Sequence, residues 1–142
     1  MTELALPKID KDTILRKDQI VSHLKKFTKD ENILSENEEI KPYETDGLAA
    51  YKQTPLAVVL PENTKEVSEI LKFCNEENIK VIPRGAGTGL SGGALPLQDA
   101  ILLGLGKFNK ILEIDFDNKC VVTQPGVTNL GITHAVQHKG YY

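Results

Sequence analysis

Residues 83–96 read PRGAGTGLSGGALP and carry five of the chain's 11 glycines, at 85, 87, 89, 92 and 93. Glycine at this density is entropically unfavourable unless the backbone must take positive φ or admit a ligand against its main-chain N–H groups. Successive N–H groups in such a turn form a concavity that suits an anion. A diphosphate is the natural guest. Arg84 is a candidate for a charge-assisted contact, and Thr88 and Ser91 offer hydroxyl donors. The alternative is a tight structural turn or a hinge, but a hinge needs fewer glycines and no strand on each side.

The flanks decide which kind of loop this is. Upstream, Leu56–Leu60 (LAVVL) is a continuous apolar run stopped by Pro61, as for a buried strand. Asn63 offers an N-cap, with Glu66 three residues on as a capping-box variant. Val67, Ile70, Leu71 and Cys74 then form one apolar helical stripe, and the helix is expected to end near Asn78. Lys80–Pro83 is a second short strand. Strand, helix and strand in this order predict a βαβ unit with parallel strands. Downstream, Ala100–Leu103 is a third strand. Ile111–Ile114 and Cys120–Thr123 flank a polar tip at residues 115–118, which suits a hairpin. Gln124-Pro125-Gly126 breaks the last strand. Thr128 can cap a final helix reaching about His138, with Gly140 as its stop.

Gly87, Gly89 and Gly92 fit G-x-G-x-x-G, and Glu113 lies about 20 residues on, as the dinucleotide fingerprint asks. That fingerprint needs a helix opening at the glycines. Here Pro96 blocks one after its first turn, so a Rossmann site is disfavoured. A Walker loop is excluded because no Lys-Ser or Lys-Thr follows the glycines.

Farther out the signal weakens. Residues 1–12 read as a loose arm. Asp18 can cap a helix bearing Ile20, Leu24 and Phe27. Residues 30–54, with Pro42 and Gly47, read as a connecting segment. The whole chain, 142 residues at 40% hydrophobic and 26% charged, fits one soluble globular domain or part of a larger one. No apolar run approaches the 18 or so residues of a membrane span. Net charge is −3, which argues against nucleic acid. Basic residues gather in 7–29 and acidic ones in 30–46, a solvated helix face followed by an acidic turn, with a surface for a partner subunit as the alternative. Cys74 and Cys120 read as small core residues of a reducing compartment. The N-terminus fits neither a secretory nor a transit peptide, so a cytoplasmic protein is expected.

Strand-Pro, helix, PRGAGTGLSGG, strand, hairpin and QPGV together resemble the FAD-binding half-domain of the vanillyl-alcohol oxidase / p-cresol methylhydroxylase (PCMH-type) family. Residues 42–61, PYETDGLAAYKQTPLAVVLP, with the glycine loop resemble its branch of glycolate oxidases and D-lactate dehydrogenases. The resemblance covers about residues 42–142. It implies an α+β fold, with a small parallel βαβ unit beside a mixed β-sheet segment. It also implies an arm and helix over 1–41 before an incomplete cofactor domain over 42–142. FAD would lie with its pyrophosphate on the loop, at Arg84, Gly85, Ala86, Gly87, Thr88, Gly89, Leu90, Ser91 and Gly92. The Pro125-Gly126-Val127 turn would approach the flavin. Thr88 stands where some family members carry a flavin-linking histidine, so the implied attachment is non-covalent. The implied activity is oxidation of a D-2-hydroxy acid, of glycolate or D-lactate type, to the 2-oxo acid. The catalytic and substrate residues would lie in later parts of a longer protein, so none is assigned and this segment alone is expected to be inactive. A non-catalytic nucleotide- or anion-binding module and a subunit-interaction domain are the other readings.

Other chemical-looking residues read as structural. His134 and His138 are i, i+4 but lack the Glu of a metalloprotease motif and a third ligand, so no metal site is expected. His23 reads as a surface residue. Asp115 and Asp117 read as turn residues. Gly104 and Gly106 either end their strand or let backbone approach the cofactor.

Overall fold

The computed structural model describes residues 7–142. Residues 1–6, the first half of the expected arm, lie outside the described residues. The second half is shorter than expected, because Lys11–Leu15 already forms helix α1, capped by the Asp10 carboxylate. Helix α2 spans Lys17–Leu24. Asp18 does not cap it. The N-cap position is Arg16, and Asp18 lies inside the first turn, where its charge favours the positive end of the helix dipole.

The segment 30–54 holds more order than its irregular pattern suggested. Strand β1 (Ile33–Leu34) and helix α3 (Asn37–Ile40) lie within it. Glu36 and Glu39 close a capping box on α3. Next come strand β2 (Ala57–Val59) and helix α4 (Thr64–Glu76). Asn63 caps α4, its side-chain oxygen accepting the Glu66 N–H at 3.0 Å. The returning half of the box is displaced by one residue, since the Glu66 carboxylate accepts from the Glu62 N–H at 2.9 Å.

Strands β3 (Lys80–Arg84) and β4 (Ala100–Gly104) follow. The sheet order is β1-β2-β4-β3, with β2, β4 and β3 parallel and β1 antiparallel. Pro83 sits in the edge strand, where a missing N–H is tolerated. The sheet is thus mixed because β1 joins the βαβ unit itself. Strands β5 (Ile111–Asp115) and β6 (Cys120–Thr123) form a separate antiparallel pair. Helix α5 (Asn129–Val136) is capped by Thr128, and Gly140 ends the following short turn at φ +81°. The class is α+β. The boundary expected near residue 42 has no counterpart in the sheet, since β1 precedes it and pairs with β2.

Both inner strands are buried throughout, as parallel strands covered on two faces must be. Ala57, Val59, Ile101 and Leu103 pack against Ile20 and Leu24 of α2 and Ile70, Phe73 and Cys74 of α4. Val58 and Leu102 point the other way, onto Ile40, Tyr43 and Leu60. This period-two alternation fixes which side of the sheet carries each layer. Cys74 is core, and burial pushes its thiol up to about 11. Cys120 corrects the expectation: it is exposed, on the outer face of the hairpin. His23 stacks on the Phe73 ring with centroids 4.3 Å apart, half in the core rather than on the open surface.

Candidate functional site

The site grows from the carboxyl ends of the parallel strands, the edge at which open α/β sheets bind ligands. β3 ends at Arg84 and β4 at Gly104, directly paired in register. The next residue of the second strand, Leu105, donates its N–H to the Arg84 carbonyl at 2.9 Å. Phe108 donates to Leu105, and Gly126 donates to Phe108 at 2.7 Å. A chain of main-chain hydrogen bonds thus ties the first residue of the glycine loop to the Pro125-Gly126-Val127 turn.

No helix follows the glycines; the loop runs irregularly through Pro96 to Asp99. Among the described residues, no main-chain N–H from Gly85 to Gly93 donates to a protein acceptor. The Thr88 and Ser91 hydroxyls are equally without partners there. Such a run of idle donors is uncommon in loops that serve only structure, where turn bonds usually engage several. Ideal Cβ atoms at Gly85, Gly89 and Gly93 would meet nothing within 4 Å, so the space over them is open. Leu90 stands 73% exposed within the loop. Consecutive amides, two hydroxyls and an unobstructed backbone are a donor set that fits a diphosphate. The residues present therefore fit the phosphate portion of a dinucleotide such as FAD.

Other glycines are required by packing. Gly87 has φ +71°, and a Cβ there would lie 2.5 Å from the Arg84 guanidinium. Gly126 has its Cα pressed against the carbonyls of Leu105 and Phe108, where a Cβ would fall 2.6 and 2.7 Å away. Its role is close packing of two turns. Gly104 lies against the Leu60 side chain, so it ends its strand by packing, whereas Gly106 has open space.

Arg84 departs from the expected direct contact. Its guanidinium donates to the Tyr43 carbonyl at 2.9 Å and to the Thr45 carbonyl, and it lies 5.7 Å from the Tyr43 ring centre. It faces the 43–47 segment, with both outer nitrogens engaged there. Sequence pattern alone misses that segment. Pro42, Gly47 and the family resemblance of residues 42–61 mark the stretch without showing what it touches.

Two of the remaining chemical-looking groups make local contacts. Asp115 accepts from the Asn118 N–H and side-chain amide, which hold its carboxyl below the usual range. His138 meets Phe116 edge-on. Among the described residues, no group of His, Cys, Asp and Glu could hold a metal ion. Nor is any helix there long and apolar enough to cross a membrane.

Residues 55–142 match the family described as an FAD binding domain. The chain is 45% identical to the glycolate oxidase subunit GlcD of Escherichia coli K12 over 97% of its own length and 27% of that protein. It is 52% identical to the D-lactate dehydrogenase of Archaeoglobus fulgidus over 50% of the chain and 16% of the relative. The mitochondrial D-2-hydroxyglutarate dehydrogenase of Arabidopsis thaliana is 32% identical over 85% of the chain and 22% of the relative. Among solved structures, substrate-bound p-cresol methylhydroxylase superposes with a TM-score of 0.78 at 25% identity, covering 96% of the chain and 27% of that enzyme. The chain spans about a quarter or less of the length of these curated relatives.

Proposed function

Because the chain belongs to the FAD binding domain family, we propose that its glycine loop holds the diphosphate of FAD, non-covalently, in an oxidoreductase acting on D-2-hydroxy acids. The observation that carries this is the run of amides from Gly85 to Gly93 with no protein acceptor, beneath open space at Gly85, Gly89 and Gly93. Ala86 and Gly87 lie at the centre of the run, with Thr88 and Ser91 adding hydroxyl donors and Leu90 and Gly92 completing its far side. The Pro125-Gly126-Val127 turn, tied to the loop through Leu105 and Phe108, supports the flavin side of the same cofactor. Thr88 has no ring nitrogen, so it cannot form a histidyl bond to flavin.

When bound, FAD supplies the two-electron acceptor for oxidising the hydroxyl-bearing carbon to a 2-oxo acid. This chain's residues bind and orient; none is assigned a catalytic role. The substrate class is supported by what the relatives share, since glycolate, D-lactate and D-2-hydroxyglutarate are all 2-hydroxy acids. A partner subunit is supported by the name of the Escherichia coli relative, itself a subunit. Two free cysteines, one exposed, suit a reducing compartment such as the cytoplasm.

The test is Gly89→Val in the full-length protein. Position 89 has no positive φ and nothing within reach of a new Cβ, so the fold tolerates the side chain. Among the described residues no atom lies within 4 Å of that Cβ, so a ligand lying on the loop is what it would meet. Loss of FAD affinity by tenfold or more, at unchanged melting temperature of the apoprotein, is the expected result. Unchanged FAD binding would remove the loop from the cofactor site.

A further inference from the structure

Arg84 and Gly47 lie on the inner side of the loop, and contact between the loop's amides and a diphosphate does not by itself require them there. The Arg84 fork grips two carbonyls of one short segment, Tyr43 and Thr45. Two residues on, the Cα of Gly47 sits against the loop itself. A Cβ on Gly47 would fall 2.7 Å from the Thr88 carbonyl oxygen and 2.8 Å from that of Gly89. Those oxygens are therefore turned toward residue 47. No peptide bond here is cis. In a trans peptide the C=O and the N–H point in opposite directions. Carbonyls of Thr88 and Gly89 facing Gly47 thus send the N–H groups of Gly89 and Leu90 outward, to the open side.

Arg84 also fills the space under Gly87 that a side chain there would need. Its charge is not paired with any carboxylate among the described residues, since its guanidinium contacts are carbonyls and one ring face. Tyr43 in turn packs against Ile40, Val58 and Leu102, which anchors the segment to the sheet. The strand end, the 43–47 segment and the loop make one closed brace.

We infer that Arg84 and Gly47 are positioning residues for the diphosphate site, orienting the loop's carbonyls inward so that its amides face the ligand. This rests on the loop being the FAD site. A single ammonium cannot reproduce the fork, because a guanidinium presents a planar pair of donors and a lysine a point charge. Arg84→Lys keeps the charge and a long apolar stem, so it separates orientation from electrostatics. Gly47→Ala drives a methyl group into the two carbonyls.

The experiment measures FAD affinity by flavin fluorescence, apoprotein melting temperature, and affinity for riboflavin, which lacks the diphosphate, in the full-length protein. Arg84→Lys is expected to weaken FAD binding by tenfold or more, to leave riboflavin affinity within twofold and to move the melting temperature little. Gly47→Ala is expected to do the same or to melt earlier. Wild-type FAD affinity in Arg84→Lys would overturn the inference while leaving the FAD site intact. So would equal losses for FAD and riboflavin, which mark a general structural role. A wild-type protein that binds no FAD would overturn the functional reading and this inference together.

Discussion

Two turns meet with no room to spare at Gly126, whose N–H bonds the Phe108 carbonyl and where a Cβ would run into the carbonyls of Leu105 and Phe108. Gly126→Ala is expected to lower stability by about 1–3 kcal/mol, the usual range for forcing atoms into a packed site. Urea unfolding measures it. Asp99 offers a second test at this scale. It is 1% exposed and accepts from Lys80 Nζ and from the Asp10 N–H, both at 2.6 Å. Burial pushes its carboxyl up, but the two hydrogen bonds and the Lys80 charge together outweigh burial and hold it below 3.8. A carboxyl depressed on folding stabilises the fold above its unfolded value and loses that contribution as pH falls through the folded one. Unfolding free energy should therefore decline as pH drops below 3.8, and Asp99→Asn should flatten that acid limb. An unchanged limb in the variant would show that other carboxylates carry it. None of this was legible in the sequence. The sequence does not single out Asp99, because its partners lie 19 and 89 positions away. Gly126 was singled out for the cofactor, and only the packing of Leu105 and Phe108 shows why a glycine is needed there.

At the scale of elements, periodicity and caps carried the reading where they were strong. Helix α4, its Asn63 cap and the two flanking strands fell close to where the pattern placed them, but Leu71, expected on the buried stripe, is 44% exposed and Phe73 is buried in its place. Local signals suffice there because each element's buried face is written in its own residues. They failed at β1, two residues long and stabilised by pairing with β2, which lies far along the chain. They also failed at Cys120, since alternation in a hairpin marks two faces without saying which one is covered. Helix α4 can be probed at its cap and at its core separately. Asn63→Ala should destabilise by about 1 kcal/mol through loss of the cap. Ile70→Ala, at a fully buried position, should cost about 2–5 kcal/mol. Denaturant midpoints distinguish the two. A cap variant as damaging as the core variant would mean that Asn63 does more than cap, for instance through its second bond to Glu66.

For the molecule as a whole, the sheet, its two layers and the bonded turns at its carboxyl edge present one open, donor-rich strip. The glycine loop is legible in the sequence as a candidate anion site because its composition has few other uses. The brace behind it was not, because the sequence offers Arg84 as a contact to the ligand and says nothing of its carbonyl partners at Tyr43 and Thr45. If the amides from Gly85 to Gly93 meet the FAD diphosphate, binding must slow their exchange with solvent. Amide hydrogen exchange on the full-length protein, with and without FAD, tests it most directly. Rapid exchange across 85–93 in the apoprotein, and marked slowing of those amides when FAD binds, is the predicted result. FAD bound with those amides exchanging as fast as before would contradict it.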